Sequence, residues 1–212
     1  MPQPDSQGFM ELWPTLFLRR ELPGAELANK VLREEIEGLE KENPDLTTDY
    51  LSGNFLTRDN PAVGWLRDCV NKTVIDYAKR AGIDYELNWS LQAWPNVNRF
   101  GDYHDLHNHP HCWLSGTYYI AVPQRGEELP GRKDRRPGAI SFYDPRAQAN
   151  MNAIAKDPQV EAEYSLLPAP GTILLWPAFL HHFVHPNLSK ELRISVSFNV
   201  VLKNPTEHLP KQ

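Results

Sequence analysis

The chain has 212 residues, 41% of them hydrophobic, which is enough for one sizeable core, and it reads as a single domain. Its formal charge of -5, with acids and bases interspersed, supplies no basic stripe to follow a phosphate backbone, so nucleic acid is not an implied partner. No apolar run approaches the roughly 20 residues of a membrane span, the opening MPQPDSQGFM lacks the basic and apolar regions of a secretory signal, and Cys69 and Cys112 do not form a disulfide framework; a cytoplasmic protein is expected.

An apolar strand is expected around residues 12–18. Residues 24–40 then place Ala28, Val31, Leu32, Ile36 and Leu39 on one face at helical spacing, and the acidic stretch 40–49 ends that helix. A second helix is expected over residues 61–80, with Leu66, Val70, Thr73, Val74 and Tyr77 inward, Pro61 in its first turn and Gly82 just past its end. From Tyr85 the period changes to two, as Leu87, Trp89, Leu91 and Ala93 alternate with Glu86, Asn88, Ser90 and Gln92. Further strands are expected at 114–122, 139–143, 172–176, 182–184 and 192–202, separated by a polar loop at 124–137 and a looser stretch at 147–163. Two helices followed only by short strands argue for a mainly β fold, an antiparallel sandwich or cupin-like jelly roll, with the helices packed on one side. Residues 1–84 are then the helical support and 85–202 the jelly-roll core.

Seven of the eight histidines fall in two short stretches, 104–111 and 181–185. If the first stretch enters the strand that continues from Leu114, Asp105, His107, His109 and His111 share a face. Alternate residues on a strand lie roughly 6 to 7 Å apart, so one ion can accept only an adjacent pair. His107 and His109 each belong to two of the three possible pairs, and Pro110 interrupts the ladder beyond them, which favours 107/109. In the second stretch, alternation separates His182 and Val184 from His181, Phe183 and His185, so one histidine is expected as a ligand. Residues 193–200 continue with an entirely polar face at Arg193, Ser195, Ser197 and Asn199 and an entirely apolar one at Ile194, Val196, Phe198 and Val200. Arg193 lies eleven residues after His182, on what should be the neighbouring strand. An arginine fork with a hydroxyl two residues on suits the far carboxylate of a dicarboxylate whose other end is on the metal.

The ordered set H-x-H, S-G-x-Y-Y, S-F-x-D-P-R, G-x-I-x-x-W-P, L-x-H-x-V-x-P and R-I-S-x-S-F-N resembles a subgroup of 2-oxoglutarate/Fe(II) oxygenases whose first metal motif reads H-x-H. It runs from His107, His109, Ser115, Gly116, Tyr118 and Tyr119, through Ser141 to Arg146, to His182, Val184, Pro186, Arg193 and Ser195 to Asn199, and the resemblance covers about residues 85–202. It implies a double-stranded β-helix with iron(II) on His107, His109 and His182, and 2-oxoglutarate chelating the iron while its distal carboxylate meets Arg193 and Ser195. Tyr118 or Tyr119 is implied as a further contact to that cosubstrate. The implied reaction is hydroxylation of a small-molecule or protein substrate with release of succinate and CO2, and a homo-oligomer is compatible with it. Most of the superfamily carries H-x-D or H-x-E, so His109 stands where a carboxylate is usual, unless Asp102 or Asp105 supplies one. The competing readings are a three-histidine cupin-type dioxygenase without 2-oxoglutarate, in which Arg193 and Ser195 would have no dicarboxylate to hold, and a non-catalytic metal- or sugar-binding jelly roll.

Overall fold

Helix α1 spans Ala25–Glu42, entered through Gly24 in the left-handed region (φ 81), and buries the i, i+4 pair Leu32 and Ile36. Val31, expected on the same face, is 43% exposed, because one residue is a 100° rotation away from the Leu32–Ile36 stripe. Helix α2 spans Pro61–Arg80. The Asn60 side chain accepts from the Ala62 amide (2.9 Å), Pro61 needs no donor partner there, and Gly82 (φ 81) closes the far end. All five residues expected inward on α2 are buried. The computed structural model describes residues 5–43, 46–47, 53–123, 136–146 and 161–203. Most of the expected loops at 124–137 and 147–163 lies outside these residues.

The strands are β1 (Leu18–Glu21), β2 (Trp89–Asn98), β3 (His104–His107), β4 (Leu114–Ala121), β5 (Ile140–Tyr143), β6 (Glu163–Leu166), β7 (Thr172–Pro177), β8 (His182–Val184) and β9 (Arg193–Leu202). They form two sheets, in the order β1-β7-β4-β9-β2 and β3-β8-β5-β6, and every pairing is antiparallel. This is the expected mainly β jelly roll with helices on one side. The opening strand begins at Leu18 rather than spanning residues 12–18, since Leu12 and Trp13 are solvent-exposed. β6 lies partly in the stretch expected to be irregular. Pro95 is tolerated inside β2 because β2 is an edge strand and its outer side needs no donor.

The two faces of the first sheet have different work. On its helix side Leu114, Tyr118, Ile173, Leu175, Ile194, Val196, Phe198 and Val200 pack with Leu32, Ile36, Leu66, Val70 and Val74 in one core. Burying each large aliphatic contributes about 1.5–3 kcal/mol, so the helices are held by this sheet rather than by their own propensity. Gly116 is required here: a Cβ at that position would sit 2.3 Å from Phe198 Cζ and 2.6 Å from the Leu174 carbonyl oxygen. The opposite face looks across to the second sheet. A smaller apolar cluster of Tyr119, Ile140, Phe142, Leu166, Leu174, Trp176, Leu180 and Val184 fills part of the space between them. The rest is a cleft.

Candidate metal and cosubstrate site

The cleft has a volume of about 900 Å³, and its first-sheet wall is built by strand alternation. β2 contributes Gln92, Trp94, Asn96 and Asn98, β9 contributes Arg193, Ser195, Ser197 and Asn199, and β4 contributes Ser115, Thr117 and Tyr119. In register, Asn98 faces Arg193, Asn96 faces Ser195 and Trp94 faces Ser197. The polar face of residues 193–199 therefore lines an interior cleft and not bulk water.

His107, His109 and His182 converge at this cleft, each offering one ring nitrogen, with these atoms all within 4.8 Å of one another. Their rings lie 4.2 Å (His107–His182), 5.2 Å (His107–His109) and 5.3 Å (His109–His182) apart. His182 comes from β8, directly opposite His107 on β3. Its Nδ1 donates to the Leu180 carbonyl (3.1 Å), and His107 Nδ1 donates to that of Asp105 (2.5 Å). A carbonyl can only accept, so both Nδ1 atoms carry the proton and both Nε2 lone pairs are left for a metal. Burial and the neighbouring His107 push His182 down to about 2 and His109 to about 4. Neutral imidazoles are the form that binds a metal.

The route by which His109 arrives differs from the expected one. β3 ends at His107 and belongs to the second sheet, whereas β4 belongs to the first, so no single strand carries residues 105 to 119. Residues 108–113 cross between the sheets in a turn in which His111 takes a left-handed conformation (φ 67). The turn is held by the His109 amide on the Ala178 carbonyl (3.0 Å) and the Trp113 amide on that of Val200 (2.9 Å). The strand-face argument thus chose the pair 107/109 on a geometry the chain does not adopt. Neither nearby carboxylate joins the cluster: Asp102 accepts from the Arg99 amide (2.7 Å) and exposed Asp105 from that of Leu106 (2.7 Å). Of the other two histidines in the second stretch, His181 is exposed and His185 contacts the Ser141 hydroxyl at 2.6 Å.

Arg193 is 2% exposed. Its Nη1 donates to Asn98 Oδ1 (3.2 Å), its Nη2 to the Tyr119 hydroxyl (3.5 Å), its guanidinium lies 5.2 Å from the Tyr119 ring centre, and its Nε has no partner. No carboxylate pairs with it among the described residues. β8 and β9 are not neighbours, as the sequence had suggested, because the connection after Val184 leaves the second sheet for the first; Arg193 faces the histidines across the cleft. Tyr118 is a correction as well. It sits on the helix side of β4, its hydroxyl donating to Asn29 Oδ1 (2.6 Å) and its ring edge-on to Trp65, so it does not line the cleft; Tyr119 does. Sequence reasoning missed Asn98 and His104, whose side chains meet at 3.1 Å beside Arg193. The alternation of Gln92, Trp94, Asn96 and Asn98 was the available signal.

Residues 92–199, just over half of the chain, match the family model described as "Putative 2OG-Fe(II) oxygenase". The chain belongs to this family. No curated protein matches it significantly in sequence. Among solved structures, a prolyl-4-hydroxylase from Pseudomonas putida is 13% identical, covering 89% of this chain and 88% of its own at a TM-score of 0.59. A prolyl hydroxylase from Trichoplax adhaerens, in complex with a hypoxia inducible factor peptide fragment, is 13% identical over 87% and 83% at 0.58. HygX from Streptomyces hygroscopicus, with nickel and 2-oxoglutarate bound, is 14% identical over 88% and 82% at 0.53. At these identities the likeness shows a shared fold. The oxygenase uses iron(II) and 2-oxoglutarate, and the cleft is chemically suited to both: three imidazoles converge in it, and a buried guanidinium with no carboxylate partner among the described residues lines its other wall. No helix among the described residues is long and apolar enough to cross a membrane.

Proposed function

We propose that His107, His109 and His182 hold the iron, that Arg193 and Ser195 receive the distal carboxylate of 2-oxoglutarate with Tyr119 beside them, and that the oxygenase hydroxylates a small-molecule or protein substrate. The single observation that carries this reading is the buried guanidinium of Arg193, which no carboxylate meets among the described residues, across the cleft from the histidines. A guanidinium held out of water costs several kcal/mol unless an anion meets it. 2-Oxoglutarate is an anion with one chelating end and one carboxylate end. The bound iron and cosubstrate supply oxidative decarboxylation to succinate and CO2, coupled to transfer of one oxygen atom from O2 to a C–H bond. The chain's own part is to orient the cosubstrate through Arg193, to present the Nε2 atoms of His107 and His182 through their carbonyl-bonded Nδ1 atoms, and to exclude water with Trp176, Phe142 and Ile140.

With His109 in place of the usual carboxylate, the metal site is one unit more positive than a two-histidine, one-carboxylate site. That favours an anionic cosubstrate. The same Arg193 argues against a three-histidine dioxygenase without 2-oxoglutarate, which would leave the charge unmet. The reading extends to residues 1–212 acting as one domain in the cytoplasm, and the interspersed charges with a net of -5 support a partner other than nucleic acid. The test is succinate release from 2-oxoglutarate with iron(II), O2 and ascorbate, alongside metal stoichiometry. Wild type should bind one iron and release succinate, while His182→Ala should lose both yet stay folded. Iron retained by that variant would move the site away from His182, and succinate release independent of Arg193 would remove the cosubstrate assignment.

A further inference from the structure

Among the described residues no carboxylate aligns Arg193, and its fork is held by neutral groups. Asn98 stands directly across from it in the β2–β9 ladder, with 2% exposure, and its Oδ1 accepts from Arg193 Nη1 (3.2 Å). The same amide turns its Nδ2 to His104 Nε2 (3.1 Å), on the other sheet. An amide has one acceptor end and one donor end. If His104 Nε2 accepts, Asn98 must show its oxygen, not its NH2, to the guanidinium.

The backbone around this pair is fixed independently. Buried Asn187 donates to the Asn98 carbonyl (3.0 Å) and to that of Glu191 (2.8 Å), and its backbone accepts from Gly101 (2.7 Å) and donates to Asp102 (3.0 Å). It therefore ties together the turn leading to His104 and the connection leading to Arg193. Such an investment of buried polar groups in an orientation, beside a cation that no carboxylate meets among the described residues, is what a preorganised anion receptor requires.

We propose that Asn98 and His104 are positioning residues for Arg193: His104 sets the orientation of the Asn98 amide, and Asn98 sets the guanidinium that reads the distal carboxylate of the cosubstrate. This rests on the assignment of Arg193 made above. Its signature is selectivity between 2-oxoglutarate and 2-oxopentanoate, which chelates a metal identically but ends in a methyl group. A residue needed only for folding would weaken both ligands together. A residue that aligns Arg193 weakens the first and spares the second.

The experiment is anaerobic calorimetry of both 2-oxo acids on the iron(II)-loaded protein, with the melting temperature of each variant recorded. In Asn98→Ala the preference for 2-oxoglutarate should fall on the order of ten- to a hundredfold, the scale of one hydrogen bond to a charged group. Asn98→Asp, which gives Arg193 an internal carboxylate, should fall at least as far. His104→Phe should follow Asn98→Ala, while His104→Gln, whose Oε1 can accept where Nε2 did, should recover most of the preference. Arg193→Ala is the control and should abolish it. If Arg193→Ala abolishes the preference and Asn98→Ala leaves it intact, the positioning role is overturned and the Arg193 assignment stands. If Arg193→Ala leaves it intact, both fall. Equal recovery in His104→Phe and His104→Gln would remove His104 alone from the proposal.

Discussion

Arg193→Met separates what the buried guanidinium does for the free fold from what it does for the cosubstrate. Arg193 is 2% exposed, bonded to two neutral groups and with Nε unpartnered. Replacing buried charged groups with apolar ones of similar volume gains about 1–4 kcal/mol in other proteins. Against this stand two lost hydrogen bonds from a charged group, about 1.5–3 kcal/mol each. The two contributions offset to within a few kcal/mol, so the Tm of the free protein should shift by no more than about 8 °C in either direction. With 2-oxoglutarate the difference becomes one-sided. At a hundredfold excess over Kd the cosubstrate stabilises the wild type by about 2.7 kcal/mol. Losing the buried charge contact costs about 3–5 kcal/mol of affinity, so at that same concentration the variant gains almost nothing. Thermal unfolding of the manganese(II)-loaded protein with and without 2-oxoglutarate reads both effects. A variant that melts lower on its own and keeps the ligand-induced shift would make Arg193 a structural residue and refute the argument.

The remaining predictions concern the ligand set, the core and pH. His109→Ala should reduce iron affinity and succinate release far more than Asp105→Asn, because Asp105 is exposed and outside the histidine cluster; the opposite order would return a carboxylate to the triad. Gly116→Ala forces a methyl group to 2.3 Å from the Phe198 ring and should destabilise by about 1–3 kcal/mol or more, read as a lower urea midpoint at unchanged activity per folded molecule. His104, His109 and His182 are held below their ordinary value, at about 4, about 4 and about 2, chiefly by burial. The unfolded chain therefore takes up more protons below about pH 6.5, so the metal-free protein should keep its full stability above that pH and lose it as pH falls from 6.5 toward 4. Denaturant midpoints at pH 7 and pH 5 check this, and a flat profile across that window would contradict it.

Much of this molecule is written in local patterns that survive without a fold. Helical spacing in residues 61–80 announces α2 with all five of its inward residues, and period-two alternation puts Arg193, Ser195, Ser197 and Asn199 on one face. The density of histidine in two short stretches marks the place where a metal belongs. Which side of each strand looks into a cleft is a different kind of information. Tyr118 and Tyr119 are adjacent and chemically alike, and alternation says only that they oppose each other; the helices, packing against one face of the first sheet, decide that Tyr119 meets Arg193 and Tyr118 meets Asn29. Likewise, the eleven residues from His182 to Arg193 suggest adjacent strands, but the chain changes sheets between them, and the two residues face each other across the cleft. Asn98 and His104 carry no motif at all, since their partnership depends on a strand end and a turn brought together by Asn187. Sequence alone determined the residue types and their local faces through backbone periodicity, whereas only the tertiary structure decided which faces enclose the site, because burial of each face depends on what distant segments pack against it.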